Sequence, residues 1–173
     1  GPRGSLHLES PLLGLMNVRN LVGVAALARH LDVPADAIEH AARTFHGVRR
    51  RQQVVRNGDI TLIDDFAHHP TAIQETLKAL RMKYPTRRLW AIFEPRSNTT
   101  RRAVFQKELA KAFGDADQVV ISAVAKLDQI PKSERLDPLK LLDSLKTSGV
   151  ECAYLSAVPA IVEHLKIHAQ KGD

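Results

Sequence analysis

Cysteine and aromatic residues are scarce: among 173 residues there are one cysteine (Cys152), one tryptophan, two tyrosines and five phenylalanines. A single thiol excludes an internal disulfide framework and suits a reducing compartment, so a cytoplasmic setting is expected. With only 5% aromatic residues there is no stacking platform for nucleic acid, although the net charge is +6 and the pI about 9.7. The basic residues fall in short groups, Arg49-Arg50-Arg51, Arg87-Arg88 and Arg101-Arg102, which suit a small polyanion at least as well as a polynucleotide. No apolar run reaches the ~18 residues that a bilayer crossing needs, and no signal peptide is visible. Neither nucleic acid nor a membrane is therefore expected as a partner. The patterns Gly-x-x-x-x-Gly-Lys-Ser/Thr, Gly-x-Gly-x-x-Gly and Gly-x-Ser-x-Gly are missing, which excludes a P-loop, a dinucleotide fingerprint and a nucleophile elbow within these residues.

What is present is an ordinary globular composition, 44% hydrophobic and 25% charged, and enough chain for one full core. Residues 1–9 read as a tag or linker. Apolar residues at Leu21, Val24, Ala28 and Leu31 predict a helix over 17–31 with one inward face, and a second helix follows to about residue 44. Asn57-Gly58 between 52–56 and 60–64 predicts a hairpin with a type I′ turn. Strands at 60–64, 89–93, 118–122 and 151–155 then alternate with helices at 70–82, 101–113, 138–145 and 157–168. In the first of these helices Ile73, Leu77 and Leu80 point inward. Four such alternations predict a doubly wound α/β fold with a mostly parallel sheet, preceded by a helical segment and a β-hairpin. The loops after the strands, 64–69, 94–100 and 124–137, should line one rim, where ligands bind in such folds.

The densest chemistry is Asp-Asp-Phe-Ala-His-His-Pro-Thr at 64–71, placed where a strand hands over to a helix. Asp65 is its first rim residue and His68 lies about one turn further. A carboxylate and an imidazole there suit ribose hydroxyls, phosphate-bound Mg²⁺ or a reacting amine. Of the two histidines, His68 is the functional candidate, and His69 packs or caps. Both Asp65 and His68 are expected on an open rim, where substitution costs less than ~1 kcal/mol of stability. No protein metal site is expected, because no third Cys or His stands at close spacing. In the second rim loop, Arg96 offers a bidentate fork for carboxylate or phosphate, and Ser97, Asn98 and Thr99 suit helix capping or anion binding. Asn17 and Asn20 share one helix face, and by spacing alone they read as caps.

Four segments together resemble the C-terminal part of the Mur ligase family. They are Asn-x-x-Asn (Asn17, Asn20), Gly-Val-Arg-Arg-Arg (47–51), the octet at 64–71 and Phe-Glu-Pro-Arg-Ser-Asn-Thr (93–99). The Phe-Ala form of the octet, with Glu-Pro-Arg-Ser-Asn-Thr, is most similar to the family's peptide-joining members; the L-alanine-adding members carry a Tyr-Gly form. The resemblance implies that residues 10–46 are the helical end of a central ATP-binding domain or a linker. Residues 47–173 would then be a C-terminal Rossmann-like domain, ending before its last strand and Ser-Asn-Gly-Gly loop. The implied reaction joins L-alanyl-γ-D-glutamyl-meso-diaminopimelate to UDP-N-acetylmuramate in peptidoglycan recycling. ATP phosphorylates the sugar's carboxylate, and the peptide amine then displaces phosphate from the acyl phosphate.

By the same resemblance Asn17, Asn20, Arg51 and Asp65 contact nucleotide, Arg51, Asp65 and His68 serve catalysis, and Arg96, Ser97 and Asn98 meet the incoming peptide. ATP and Mg²⁺ would be held mainly by the central domain, and this chain's partners would be its own central and N-terminal domains. Met16 and Gln53 depart from the family pattern, which commonly has His and Glu there. The rivals are an L-alanine-adding ligase, a metal-dependent phosphoesterase using Asp64, Asp65, His68 and His69, and a basic nucleic-acid-binding module.

Overall fold

The computed structural model describes residues 4–173; the first three residues of the expected tag lie outside the described residues. Helices α1 (Leu15–His30) and α2 (Ala35–Thr44) come first, followed by strands β1 (Gln53–Asn57) and β2 (Thr61–Asp64). Next are α3 (Pro70–Lys83), β3 (Trp90–Phe93), α4 (Gln106–Ala112), β4 (Gln118–Ser122), α5 (Pro138–Thr147), β5 (Glu151–Leu155) and α6 (Val158–His168). The α/β class is as expected, but the four alternating strands do not share one sheet. β3, β4 and β5 form a parallel sheet in that order, whereas among the described residues β2 pairs with β1 alone, antiparallel.

The sheet's two faces follow from strand alternation. Val119 and Ile121 of β4 turn to one side and join Leu109 and Phe113 of α4, Leu141 and Leu145 of α5, and Ile73 and Leu77 of α3 in the main core. Val120 is equally buried on the opposite side, where α6 packs on β4 and β5 and His164 meets the Trp90 ring edge-on at 5.8 Å. Helices on both faces make the sheet doubly wound and place the ends of β3, β4 and β5 at one rim. α3 forms because Pro70 sits in its first turn, the His69 side chain accepts from Thr71 N, and Ile73, Leu77 and Leu80 recur on its buried face.

Three local expectations are corrected. The hairpin has no type I′ turn: Asn57 pairs with Thr61, so the loop holds three residues, and neither Asn57 nor Gly58 has a positive φ. Helix α4 starts at Gln106 after a 3₁₀ turn, Ala103–Phe105, and not at 101, because Arg102 is extended and bridged to Arg135. The expected inward face of α1 is mostly uncovered. Ala25 is its one buried residue among those described, while Val24 and Leu31 are 65% and 67% exposed.

Candidate functional site

Arg51 is presented by a backbone clasp. Arg50 (φ 60°) and Gln52 (φ 48°) on either side of it are left-handed, a conformation costing a non-glycine residue roughly 1–2 kcal/mol. The clasp is closed from the octet: Phe66 N donates to Arg50 O at 2.7 Å, and Gln52 N donates to Asp65 Oδ2 at 2.9 Å. Arg51 N donates to Val48 O at 3.2 Å. The guanidinium groups of Arg50 and Arg51 lie 5.3 Å and 5.6 Å from the Phe66 ring centroid, within cation–π range. Phe66, which sequence reasoning passed over, is thus the shared contact of the two arginines. Arg50 also faces Asp64 at 3.5 Å across an exposed surface, a pairing of little energetic weight.

Asp65 is a clamp. Its Oδ1 accepts from Ala67 N at 2.6 Å, and its Oδ2 accepts from Gln52 N and, at 3.4 Å, from the Thr76 hydroxyl of α3. Half-buried and engaged on both oxygens, it ties the clasp to α3, so the expected open-rim carboxylate is corrected to a structural hub. His68 is poised differently. Its Nδ1 pairs with Phe66 O at 3.0 Å and its ring meets Phe66 edge-on at 5.1 Å, so these contacts leave Nε2 unused. His69 caps α3 and packs edge-on against Phe105 at 4.7 Å, bringing the octet beside the loop after β3. The four groups of the phosphoesterase rival are separately engaged, and no cluster of three metal-capable side chains occurs among the described residues.

Loops 94–102 and 123–137 join into one platform on the rim. Ala125 N donates to Pro95 O, Leu136 N to Arg101 O, and Arg101 Nη1 to Lys126 O; Arg102 pairs with Glu134. Within the first loop Ser97 turns inward. Ser97 N donates to Thr100 Oγ1 and Thr100 N donates to Ser97 Oγ, both at 3.1 Å, and Thr100 is completely buried. Ser97 therefore braces the loop and does not cap a helix. Asn98 is exposed, and the Arg96 side chain, 79% exposed, lies 3.9 Å from the Glu94 carboxylate. Among the described residues no hydrogen bond or ion pair joins Arg96, Ser97 or Asn98 to Arg51, Asp65 or His68.

The two asparagines face an open groove of about 1410 Å³ between α1, α2 and the clasp, lined by Met16, Asn17, Asn20, Arg51 and Gln52 among others. Neither caps α1, whose N-cap is Gly14. Asn17 Nδ2 instead donates back to Leu13 O at 2.7 Å and, more weakly, to Gln52 Oε1 at 3.4 Å. Asn20 is exposed. Asn17 thereby holds the Gln52 amide by its oxygen, and Gln52 Nε2 is buried without a hydrogen-bond partner among the described residues. An unmet donor of this kind costs about 1–3 kcal/mol. Nothing in the sequence flags Gln52, since its burden appears only when α1 and the clasp meet.

Comparison with known proteins identifies the family. Residues 50–173 match the family described as Mur ligase, glutamate ligase domain. UDP-N-acetylmuramate–L-alanine ligase of Sulfurihydrogenibium sp. (strain YO3AOP1) is 34% identical over 170 residues, covering 98% of this chain and 37% of that protein. The UDP-N-acetylmuramate–alanine ligase structure from Thermotoga maritima superposes with a TM-score of 0.78 at 26% identity, covering 97% of this chain and 35% of that one. The murein peptide ligase structure from Psychrobacter arcticus 273-4 gives 0.70 at 34% identity, covering 96% and 34%. The chain thus spans about a third of the length of these relatives. With residues 50–173 matched by the family model and relatives 34% identical over nearly the whole chain, this chain belongs to the Mur ligase family.

Proposed function

We propose that the chain is the C-terminal domain of an ATP-dependent ligase that joins the tripeptide L-alanyl-γ-D-glutamyl-meso-diaminopimelate to UDP-N-acetylmuramate in peptidoglycan recycling. In this assignment residues 47–173 form the closing domain and 10–46 the helical end of the central domain. The uncovered face of α1 and the groove beside it support that division, because exposed Val18, Val22, Val24 and Leu27 are the kind of surface another domain buries.

ATP converts the sugar's carboxylate to an acyl phosphate with loss of ADP, and the peptide amine then attacks the acyl carbon, expelling phosphate and leaving an amide. Arg51, held by the clasp at the groove's edge, neutralises charge developing on the transferring phosphoryl group. His68, with Nδ1 engaged, offers Nε2 to the nucleotide or to the proton of the attacking amine. Asn17 and Asn20 meet the base or ribose. Asp65 acts by holding Arg51 in place. Asp65 is a poor Mg²⁺ ligand, because both its oxygens already accept N–H or O–H donors, and no group of three metal-capable side chains occurs among the described residues, so the ion would be held mainly by the central domain.

The observation that carries the choice of peptide is Arg96, exposed on the braced 94–100 loop beside exposed Asn98. An exposed guanidinium fork on the rim, held only loosely by Glu94, suits an acceptor with several carboxylates, and the tripeptide has more of them than L-alanine. The second reading, an L-alanine-adding ligase, is favoured by the curated relatives that bear that name. An assay decides between them. The complete ligase with ATP and UDP-N-acetylmuramate should form product, seen by mass, with the tripeptide, and at least ~100-fold less efficiently with L-alanine, as expected when charged contacts are left unpaired. Efficient use of L-alanine alone would install the second reading.

A further inference from the structure

Gln52 bears two costs at one position: a left-handed backbone, which glycine would relieve, and a buried Nε2 without a partner among the described residues, which a methionine of similar length would remove. Outliers of this kind persist where surrounding structure enforces them for function. The residue lies next to Arg51 and is the clasp's one side-chain link to α1 among the described residues, through Gln52 Oε1 and Asn17 Nδ2. Its own N–H is held by Asp65, which is held in turn by Thr76 of α3.

We propose that Gln52 is a positioning residue for Arg51, its amide linking the arginine's backbone to Asn17 on α1 while its N–H fixes that backbone to Asp65. The inference rests on Arg51 being the phosphate-facing group. Cut the amide link, and the clasp still closes onto the octet, but Arg51 is no longer registered against α1 and the groove. The backbone half of the arrangement survives any side-chain change at 52, so the test isolates the amide.

In the complete ligase, Gln52→Met is expected to lower kcat about tenfold, with KM for UDP-N-acetylmuramate unchanged. Its melting temperature should equal or exceed that of the parent, because the unmet donor is gone. In an Arg51→Ala background the same change should have no further effect on kcat, since the group it positions is absent. Wild-type kcat in Gln52→Met, a multiplicative further loss in the double variant, or a fall in melting temperature large enough to explain the rate would each overturn the inference. Arg51→Ala at wild-type turnover would remove the arginine's role and this inference with it, whereas a slow Arg51→Ala beside an unimpaired Gln52→Met removes the inference alone.

Discussion

Arg51→Ala in the complete ligase is expected to slow turnover on the order of a hundredfold while KM for UDP-N-acetylmuramate stays near its wild-type value. A preorganised cation aimed at charge that develops in the transition state contributes to the rate and little to ground-state binding. The clasp supplies the preorganisation: left-handed residues on both sides and backbone bonds to the octet hold the Arg51 backbone, and its exposed guanidinium lies 5.6 Å from the Phe66 ring centroid. Arg51→Lys should recover only part of the loss, because an ammonium lacks the planar fork and stacks less well on Phe66. Steady-state kinetics with saturating tripeptide measures both values. Near-normal turnover in Arg51→Ala would remove the arginine from the chemistry.

Asp65→Ala is expected to act on stability as well as rate. Two backbone N–H groups and the Thr76 hydroxyl lose their acceptor at once, and charge-assisted bonds of this kind make the loss about 2–3 kcal/mol. For a domain of this size that lowers the melting temperature by roughly 4–12 °C. Turnover should fall too, since the clasp that presents Arg51 loses its hold on α3. Asp65→Asn should rescue little, because one half of the amide would turn a donor towards a donor. Thermal and urea unfolding of the 173-residue chain check the first part, and a change below ~0.5 kcal/mol would show that Asp65 is not the clamp described.

Much of the fold was legible in the sequence because its signals are strong and local. The apolar runs at 89–93, 118–122 and 151–155, the Ile73, Leu77, Leu80 spacing and the His-Pro start of α3 are each set by neighbours a few residues away. What was misjudged depends on distant partners. The helix expected from 101 is delayed because residue 102 is drawn into a bridge with residue 135, and Ser97 is claimed by buried Thr100 before it can cap anything. Asn-Gly did not form a two-residue turn because pairing of Asn57 with Thr61 leaves three residues in the loop. The site was legible as a set of residue types but not as roles. The octet announces itself, yet only the folded contacts show Asp65 engaged on both oxygens, His69 capping and Phe66 shared by two arginines. The family resemblance pointed to Arg51, whereas the spacing of the arginines alone reads as a solvated run.

In the proposed ligase, residues around Arg51 and the octet meet the nucleotide when the domains come together. Amide hydrogen exchange of the complete ligase, with and without a non-hydrolysable ATP analogue plus UDP-N-acetylmuramate, tests this most directly. Exchange should slow in 47–53 and 64–69, while β4 in the centre of the sheet, already buried, stays as slow as before. Unchanged exchange in both segments, with slowing confined to other parts of the protein, would contradict it.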